Sequence, residues 1–349
     1  MADIERPLRI GDVSVRVGAS VGLVVSVDAG LDADRMLRDA DTAAYKAKHD
    51  GRGRVILFDE DLRAELDQRA RLDAEIEAGL DAGQFVLHYQ PLVDLNTRAV
   101  YGVEALIRWA HPTRGLVPPD EFIPHSETSH LIHDIGRWVL AEATRQLAAW
   151  DTRTGTRRLS MAVNISGRHL ASDRIVADVE SALTAAGISA DRLIIEVTET
   201  VLVGNTAAIE HLDRLHDLGV RISIDDFGTG FTSVAQLLAM PVDVLKIDRS
   251  FIGSADPSRW ALVELMTHAG HTLGATVVAE GIETEDVARQ VTAVGIECGQ
   301  GFWYARPQPA ETILAAIQES PGPADLPVSA SAAAVPAPQS ARQRATTAA

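Results

Sequence analysis

The sequence predicts an α/β protein, a TIM-like (β/α)8 barrel preceded by a smaller, partial α/β segment. Two observations carry this prediction. From Phe85 to about Ile317, short apolar runs alternate with helical stretches about eight times, which is the rhythm and size of such a barrel. Most of these runs also contain or end in a carboxylate, an amide or a lysine, as expected where barrel strands meet an active site.

The first part of the chain is rich in valine. Residues 7–27 are broken at Gly11-Asp12, which predicts a β-hairpin whose second arm is largely buried. Apolar residues at helical spacing then predict a helix from Leu31 to His49, followed by a short strand, Val55–Phe58.

A connecting helix and the barrel follow. Glu60 to Gly83 alternates charged with apolar residues and predicts the helix. The predicted barrel strands are Phe85–Tyr89, Tyr101–Leu106, Ser160–Val163, Leu193–Val197, Arg221–Ile224, Val244–Ile247, Thr276–Ala279 and Gly295–Gly299. The longest helix is predicted from Pro119 to Trp150. After Ser320 the chain is rich in Ala, Pro and Ser, and we expect a disordered tail because few large apolar residues remain to offset the entropy of ordering.

The predicted domains follow from these boundaries. They are a partial α/β segment at 1–59, a connecting helix at 60–83, the barrel at 84–318 and the tail at 319–349.

Composition excludes several classes of protein. A net charge of -17 opposes binding to a nucleic-acid polymer, although a small anionic ligand remains possible if cations neutralise it locally. The single cysteine, Cys298, cannot form an internal disulfide, which favours the cytoplasm. The apolar run Val17–Val27 is shorter than the roughly 20 residues of a membrane helix, and acidic residues precede it, which argues against a signal peptide.

Polar residues occur in or after seven of the predicted strands. They are Glu104, Asn164, Glu196, Asp225 with Asp226, Lys246, Glu280 and Gln300. In a parallel barrel such positions converge at the C-terminal mouth. Each alone is more often a turn former or helix cap, but several carboxylates crowded into one cleft would repel one another unless cations were bound.

These donors predict a metal centre. Oxygen ligands without cysteine or histidine favour Mg²⁺ or Mn²⁺, and paired ions can clamp the attacking and leaving oxygens of a phosphodiester. The residues alone therefore predict metal-assisted phosphoester hydrolysis, with no specified substrate.

Nine ordered segments add a resemblance to a known family. They are YQP at Tyr89–Pro91, VEALIRW at Val103–Trp109, FIP at Phe122–Pro124, VNIS at Val163–Ser166, EVTET at Glu196–Thr200, DDFGTGFTS at Asp225–Ser233, LKIDRSFI at Leu245–Ile252, AEGIET at Ala279–Thr284 and QGFWYARP at Gln300–Pro307. This set closely resembles the EAL-domain phosphodiesterases, which linearise cyclic di-GMP, and the match covers the predicted barrel from end to end.

The resemblance implies roles for particular residues. The implied metal ligands are Glu104, Asn164, Glu196, Asp225, Asp226 and Glu280. Lys246 would position or deprotonate the attacking water, a role that needs a lowered pKa, which neighbouring cations could impose. Glu280 and Glu104 would take part in catalysis through the metal site. Gln90, Arg108 and Gln300 would contact substrate or solvent, although for Gln90 and Arg108 a polar filler or ordinary salt bridge stays open.

A regulatory loop is implied beside the site. It comprises Asp226 to Ser233, including Phe227, Gly228, Thr229 and Gly230, with Glu199 as its anchor. In the family it couples dimer contacts to metal occupancy, and a plain glycine-rich surface loop is the alternative. Glu283 is expected to close a structural hydrogen-bond network.

Three histidines lie outside the strand-end set. His125, His130 and His133 are expected to be surface residues without a metal.

The first sixty or so residues resemble only the last third of a GGDEF diguanylate cyclase domain, through VGASVGLVV and ADTAAYKAKHDGRGRV. The cyclase motif is absent from this chain, so no cyclase activity is expected. Three explanations stay open: packing on the connecting helix, pairing with another chain, or a chain that begins downstream of its natural start.

The leading hypothesis is hydrolysis of cyclic di-GMP to linear pGpG by metal-activated water, with a homodimer expected from the family. The guanine dinucleotide comes from the resemblance alone. A catalytically silent cyclic di-GMP sensor and a structural scaffold are the alternatives, and replacing Glu104 with alanine would separate them because only hydrolysis should vanish.

Overall fold

The computed structural model describes residues 7–11, 13–25, 32–49, 51–155, 159–203, 205–230, 237, 240–253 and 256–319. The chain divides into two compact units, Met1–Ile76 and Glu77–Ala349. No helix in the described ranges combines the length and the apolar character that crossing a membrane requires.

The first unit contains two small sheets. Strands β1 (Leu8–Ile10) and β2 (Val13–Val15) form an antiparallel hairpin, while β3 (Val21–Val24) and β4 (Val55–Phe58) pair in parallel around helix α1 (Ala33–His49). The prediction that the second arm of the hairpin is largely buried is wrong, because β2 is exposed. The next part of the valine-rich segment, β3, pairs with β4 instead of extending the hairpin. The long helix α2 (Glu60–Asp81) begins in this unit, where Arg63 pairs with Asp39 and Lys46 with Glu65.

Eight strands close the barrel of the second unit, as predicted. They are β5 (Phe85–Asp94), β6 (Val100–His111), β8 (Ser160–Asn164), β9 (Leu193–Thr198), β10 (Arg221–Phe227), β11 (Val244–Ile247), β12 (Thr276–Ala279) and β13 (Cys298–Gly299). Two short strands, β7 (Gly115–Val117) and β14 (Gln308–Pro309), pair with the edges of β6 and β5. Strands β11 and β12 have the predicted bounds.

The first barrel strand runs against its neighbours, which corrects the parallel barrel assumed from the sequence. Strand β5 pairs antiparallel with both β6 and β13. Residues 95–99 are too few for a parallel crossover, which needs about a dozen residues or more. The Asp94 side chain fixes this tight turn by accepting hydrogen bonds from the backbone of Asn96 and Thr97.

Helices surround the barrel. They are α3 (Ile123–Ser126), α4 (Leu131–Thr154), α5 (Gly167–Leu170), α6 (Ile175–Ala186), α7 (Thr206–Asp217), α8 (Pro257–Leu273), α9 (Glu285–Ala293) and α10 (Ala310–Glu319). The predicted long helix from Pro119 is broken into a 3₁₀ turn, α3 and α4. At this break, the Ser126 hydroxyl donates a hydrogen bond to the backbone carbonyl of Phe122, and the Thr128 hydroxyl donates to that of His125. Such local side-chain bonds to the backbone compete with continuation of the helix.

The barrel interior is packed, so a functional site can form only at an end. Seven barrel strands each contribute one buried residue to a central cluster: Leu92, Tyr101, Ala162, Ile194, Val244, Val278 and Cys298. The predicted tail, apart from Glu319 at the end of α10, lies outside the described residues.

Candidate active site

The polar residues form the layer directly above this apolar cluster. Because side chains on one strand face repeat every second residue, Glu196 follows Ile194 on the same face and Lys246 follows Val244. The same spacing relates three further strands, with Asn164 after Ala162, Glu280 after Val278 and Gln300 after Cys298. On β6, Glu104 follows Tyr101 by three residues, because the pairing with β5 shifts register there. On the antiparallel β5 the order is reversed, since Gln90 precedes Leu92.

Lys246 lies at the centre of the site. It is 1% exposed, and its Nζ atom lies 2.7 Å from Oε1 of Glu280 and 3.1 Å from Oε2 of Glu196. The same atom lies 3.2 Å from Oδ1 of Asp225 and 3.7 Å from Oε2 of Glu104. One buried cation therefore faces four carboxylates.

This geometry sets the protonation of Lys246. Burial by itself would lower the pKa of its amine, but Asp225, Glu104 and the other carboxylates raise the pKa well above the usual value. The carboxylates therefore favour the protonated amine, and the lowered pKa of Lys246, which was expected from the effect of neighbouring cations, stays a prediction for the metal-bound site.

The carboxylates around Lys246 outnumber the single positive charge that faces them. Burial raises the pKa of Glu280 to about 7 against the opposing effect of Lys246. Burial, then the charges of Asp225 and Asp248, raise the pKa of Asp226 to about 6. Burial also raises the pKa of Glu196 well above its usual value. A single lysine therefore compensates this cluster only in part.

Glu104 is held differently, by amides as well as by Lys246. Asn164 donates from Nδ2 to Oε1 of Glu104 at 2.6 Å, and Gln300 donates from Nε2 to Oε2 at 2.6 Å. Although burial opposes ionisation, Lys246 and these two donors lower the pKa of Glu104. Its charged form is the stable one.

The two glutamines of the site bond to each other. Nε2 of Gln300 also donates to Oε1 of Gln90 at 2.9 Å, and Gln90 donates to the carbonyl of Ala305 at 3.0 Å. Oε1 of Gln300, a residue that is only 4% exposed, has no partner among the described residues. An unpaired buried acceptor beside a cleft is available to a ligand or a water.

A bulge brings two consecutive aspartates to the same site. Asp226 has a φ of 53°, and the pairing of β10 with β11 shifts register between Ile224 and Phe227. The backbone N–H of Asp226 donates to Oδ1 of Asp225 at 3.0 Å. The sequence predicted that the strand would give way to a loop here, but β10 continues to Phe227 and the bulge redirects the side chain instead.

This local geometry fits divalent cations. Asp225, Asp226 and Glu280 each offer a carboxylate oxygen, and these atoms all lie within 4.8 Å of one another. Oxygen-only donors with raised pKa values are what Mg²⁺ or Mn²⁺ would stabilise in the charged form. The residues present therefore suit a hard metal ion.

Glu199 anchors the segment that follows the aspartates. Its side chain is 3% exposed, and Oε2 accepts hydrogen bonds from the backbone N–H of Gly228 at 3.1 Å and of Gly230 at 3.2 Å. Thr229 donates from Oγ1 to the carbonyl of Asp226 at 2.8 Å. Residues 231–233 of the predicted loop lie outside the described residues.

A cavity of about 250 Å³ opens over the site. Its walls include Gln90, Glu104, Asp225, Glu280 and Gln300. They also include Glu283, for which only a structural role was expected.

Sequence reasoning missed five residues of this wall, namely Leu106, Arg249, Gly281, Gly301 and Phe302. Leu106 could have been found from the period of a strand, because it follows Glu104 by two residues on β6, whereas Phe302 lies in the turn after β13 and no strand period indicates it.

Some predicted residues lie elsewhere. The half-buried Arg108 donates from Nη1 to the carbonyl of Ile107 at 2.8 Å and is not among the residues that line this cavity.

Of the three histidines, His130 is exposed, whereas His125 and His133 are half-buried, which corrects the expectation of surface positions. The ring of His133 packs edge-on against His169, with centroids 5.5 Å apart.

Comparison with known proteins assigns the barrel to one family. The family model described as EAL domain matches residues 73–307. The chain is 38% identical over 317 residues to the bifunctional diguanylate cyclase/cyclic di-GMP phosphodiesterase MucR of Pseudomonas aeruginosa, covering 90% of this chain and 46% of that protein. It is 36% identical over 307 residues to the cyclic di-GMP phosphodiesterase PdeR of Escherichia coli, covering 87% of this chain and 46% of that protein. The chain thus spans about half the length of these curated relatives.

A solved structure agrees with these sequence matches. The PaMucR phosphodiesterase in complex with c-di-GMP superposes with a TM-score of 0.67 at 41% identity, covering 70% of this chain and 99% of that one.

Proposed function

The chain belongs to the EAL domain family, and on that premise we propose that it is a metal-dependent phosphodiesterase that hydrolyses cyclic di-GMP to linear pGpG. The observation that carries this proposal is the single buried Lys246 amine facing four carboxylates, beside the oxygen cluster of Asp225, Asp226 and Glu280. An acidic cleft repels an anionic phosphodiester unless cations are bound, so the site makes chemical sense as a metal-assisted one.

Two Mg²⁺ or Mn²⁺ ions are the proposed cofactors. One would be held by Glu104, Asn164, Glu196 and Asp225, and the second by Asp225 and Asp226 with Glu280 in support. When bound, such ions supply Lewis acidity and lower the pKa of water.

The protein's own groups would orient the reactants. The protonated amine of Lys246 is a donor that can hold the attacking water or a phosphate oxygen in place. The free Oε1 of Gln300 can accept a hydrogen bond from the water or from the substrate. Gln90 fixes the orientation of Gln300, and Arg108 would neutralise a phosphate oxygen.

The remaining assignments are part of the same proposal. Residues 1–59 are a GGDEF-like fragment without cyclase activity, 60–83 connect it to the barrel at 84–318, and 319–349 form a tail. The protein acts in the cytoplasm as a homodimer, and Glu199 with the loop 226–233 transmits dimer contacts to the metal site. Support for this last role comes from the two hydrogen bonds between Glu199 and the loop backbone.

The experiment is incubation of the purified full chain with cyclic di-GMP and Mg²⁺ or Mn²⁺, with and without chelator, followed by chromatography of the nucleotides. Chelator-sensitive formation of pGpG by wild-type protein, and its loss in Glu104→Ala, supports the proposal. Tight binding of cyclic di-GMP without cleavage in the presence of either metal would contradict it and identify the barrel as a sensor.

A further inference from the structure

A buried histidine with an incomplete set of hydrogen bonds follows the site residue Asn164 along the chain. His169 on α5 is 1% exposed, and its Nε2 atom lies 3.0 Å from Oδ2 of Asp178 on α6. Its other ring nitrogen, Nδ1, has no hydrogen-bond partner among the described residues. Because a buried polar atom is rarely left unpaired, this arrangement calls for an explanation.

The surroundings of the ring favour its neutral form. The Asp178 carboxylate favours a hydrogen on Nε2, which leaves the lone pair on Nδ1. Gly136 on α4 approaches Nδ1 so closely that an added Cβ would overlap it, and the His133 ring packs edge-on beside His169. A second proton, on Nδ1, would find no acceptor among the described residues. Burial accordingly lowers the pKa of His169, although Asp178 opposes this shift.

Other charged groups near the ring do not reverse this preference. The titratable and charged groups on α5 and on the helices around it include His133, Asp134, Arg137, Arg168, Asp178 and His211. Arg137 lowers the pKa of His169 and Asp134 raises it, and both effects are smaller than that of burial. His211 on α7 donates from Nδ1 to the carbonyl of Leu170 at 2.7 Å, so it holds the end of α5 from another side.

Helix α5 connects this ring to the site. Asn164 is the last residue of β8, and Ser166 caps α5 by accepting a hydrogen bond at Oγ from the backbone N–H of His169 at 3.2 Å. A short turn therefore joins α5 to Asn164, whose side chain donates to Glu104 at 2.6 Å. Groups that orient metal ligands change metal affinity about 10- to 100-fold when they are removed.

We propose that neutral His169 is a positioning residue for Asn164, because it ties α5 to α6, and that uptake of a second proton loosens this tie and weakens the metal site. This inference rests on the proposed function, in which Asn164 is a metal ligand. No covalent bond changes, and the added proton comes from solvent.

The direction of the effect follows from where the proton binds more tightly. In a released α5 the ring would titrate near the ordinary pKa of about 6.5, whereas burial lowers the pKa of His169 in the packed arrangement. The packed arrangement is therefore fully favoured above about pH 6.5 and loses stability as the pH falls below it. The loss is at most about tenfold in the equilibrium constant for each pH unit.

The test measures the Mn²⁺ affinity of the full chain from about pH 8 to about pH 5.5, with each variant expressed as a ratio to wild type at the same pH. This ratio removes the titration of the carboxylates that all variants share. His169→Gln can still donate to Asp178 but cannot take up a proton. Its affinity should match wild type at about pH 8 and exceed it by up to about tenfold at about pH 5.5.

Two further variants complete the comparison. Asp178→Asn keeps an oxygen acceptor for Nε2 and removes the charge that raises the pKa of His169. This variant should lose Mn²⁺ affinity more steeply than wild type as the pH falls, opposite to His169→Gln, and a merely structural role would not separate the two. His268→Gln, at an exposed position on α8, is the matched control and should follow wild type at every pH.

The inference is overturned if wild type and His169→Gln depend on pH equally, or if His169→Gln and Asp178→Asn shift in the same direction. Denaturant unfolding in chelator detects a folding defect. If His169→Gln does not fold, an Asp178→Asn variant that is no more acid-sensitive than wild type also overturns it. A wild-type chain that binds Mn²⁺ without cleaving cyclic di-GMP overturns only the proposed function, and a chain that binds no Mn²⁺ overturns both.

Discussion

The Nζ atom of Lys246 lies 2.7 Å from Oε1 of Glu280, and this amine is the cation at the centre of the carboxylate cluster. Burial and nearby carboxylates raise the pKa of Glu280 to about 7, so the lysine only partly offsets the cost of keeping this group charged. Stability of the metal-free protein and activity of the metal-loaded protein therefore depend on the same amine.

Replacing Lys246 with methionine should weaken both. Methionine keeps most of the length of the side chain and removes the charge, which leaves buried carboxylates without their partner. We expect the free energy of unfolding in chelator to fall by about 3 kcal/mol and hydrolysis to fall by about 10² or more. Denaturant unfolding in chelator and nucleotide chromatography measure the two effects.

A matched control for this substitution is Arg137→Met. Arg137 pairs with Asp134 at 2.6 Å, but its side chain is 56% exposed. Removal of an exposed pair should cost at most about 1 kcal/mol and leave hydrolysis intact. Equal stability of Lys246→Met and wild type in chelator would show that the lysine does not compensate the cluster.

Much of the site could be predicted because the period of a strand is regular. Once Ile194 and Val278 are assigned to buried strands, Glu196 and Glu280 must share their face, one layer nearer the mouth. The exact bounds of β11 and β12 followed from the same short apolar runs.

Other features of the site could not be predicted, because they depend on departures from the two-residue period of a strand or on distances between side chains. The antiparallel direction of β5 depends on a five-residue turn at 95–99, and the paired use of Asp225 and Asp226 depends on one residue with a φ of 53°. The protonation of Lys246 depends on how many carboxylates lie within about 4 Å, which no linear pattern gives.

Glu104→Gln should abolish hydrolysis while keeping the fold. The substituted amide can still accept from either Asn164 or Gln300, but its own N–H₂ then faces the other donor. We expect a loss of about 1–3 kcal/mol in stability and a lower affinity for Mn²⁺ because the charge is gone. Glu142→Gln is the control for the change from glutamate to glutamine itself, because it alters an ion pair with Arg145 outside the site. Full activity in Glu104→Gln would exclude this carboxylate as a metal ligand.

Asp226→Gly and Asp226→Ala should separate backbone strain from metal binding. Both variants lose a carboxylate whose pKa is raised to about 6, so both should bind Mn²⁺ more weakly and by a similar factor. Their stabilities should differ, because glycine adopts a φ of 53° readily and alanine does not. In chelator, the glycine variant should be more stable than the alanine variant by about 1 kcal/mol. Identical unfolding curves would mean that the bulge relaxes when the side chain is removed.

Glu199→Ala and Glu199→Gln test the anchor of the loop. The alanine variant removes the acceptor for the N–H groups of Gly228 and Gly230, whereas glutamine keeps a neutral carbonyl in its place. Hydrogen exchange at these two amides should accelerate by about tenfold or more in Glu199→Ala, as expected for the loss of a hydrogen bond of about 1.4 kcal/mol, and much less in Glu199→Gln. If hydrolysis falls in parallel with exchange, the hydrogen bonds hold the aspartates in their active arrangement. If the two variants lose equal activity while only the alanine variant exchanges faster, the charge of Glu199 is what the site requires, and the loop contacts are secondary.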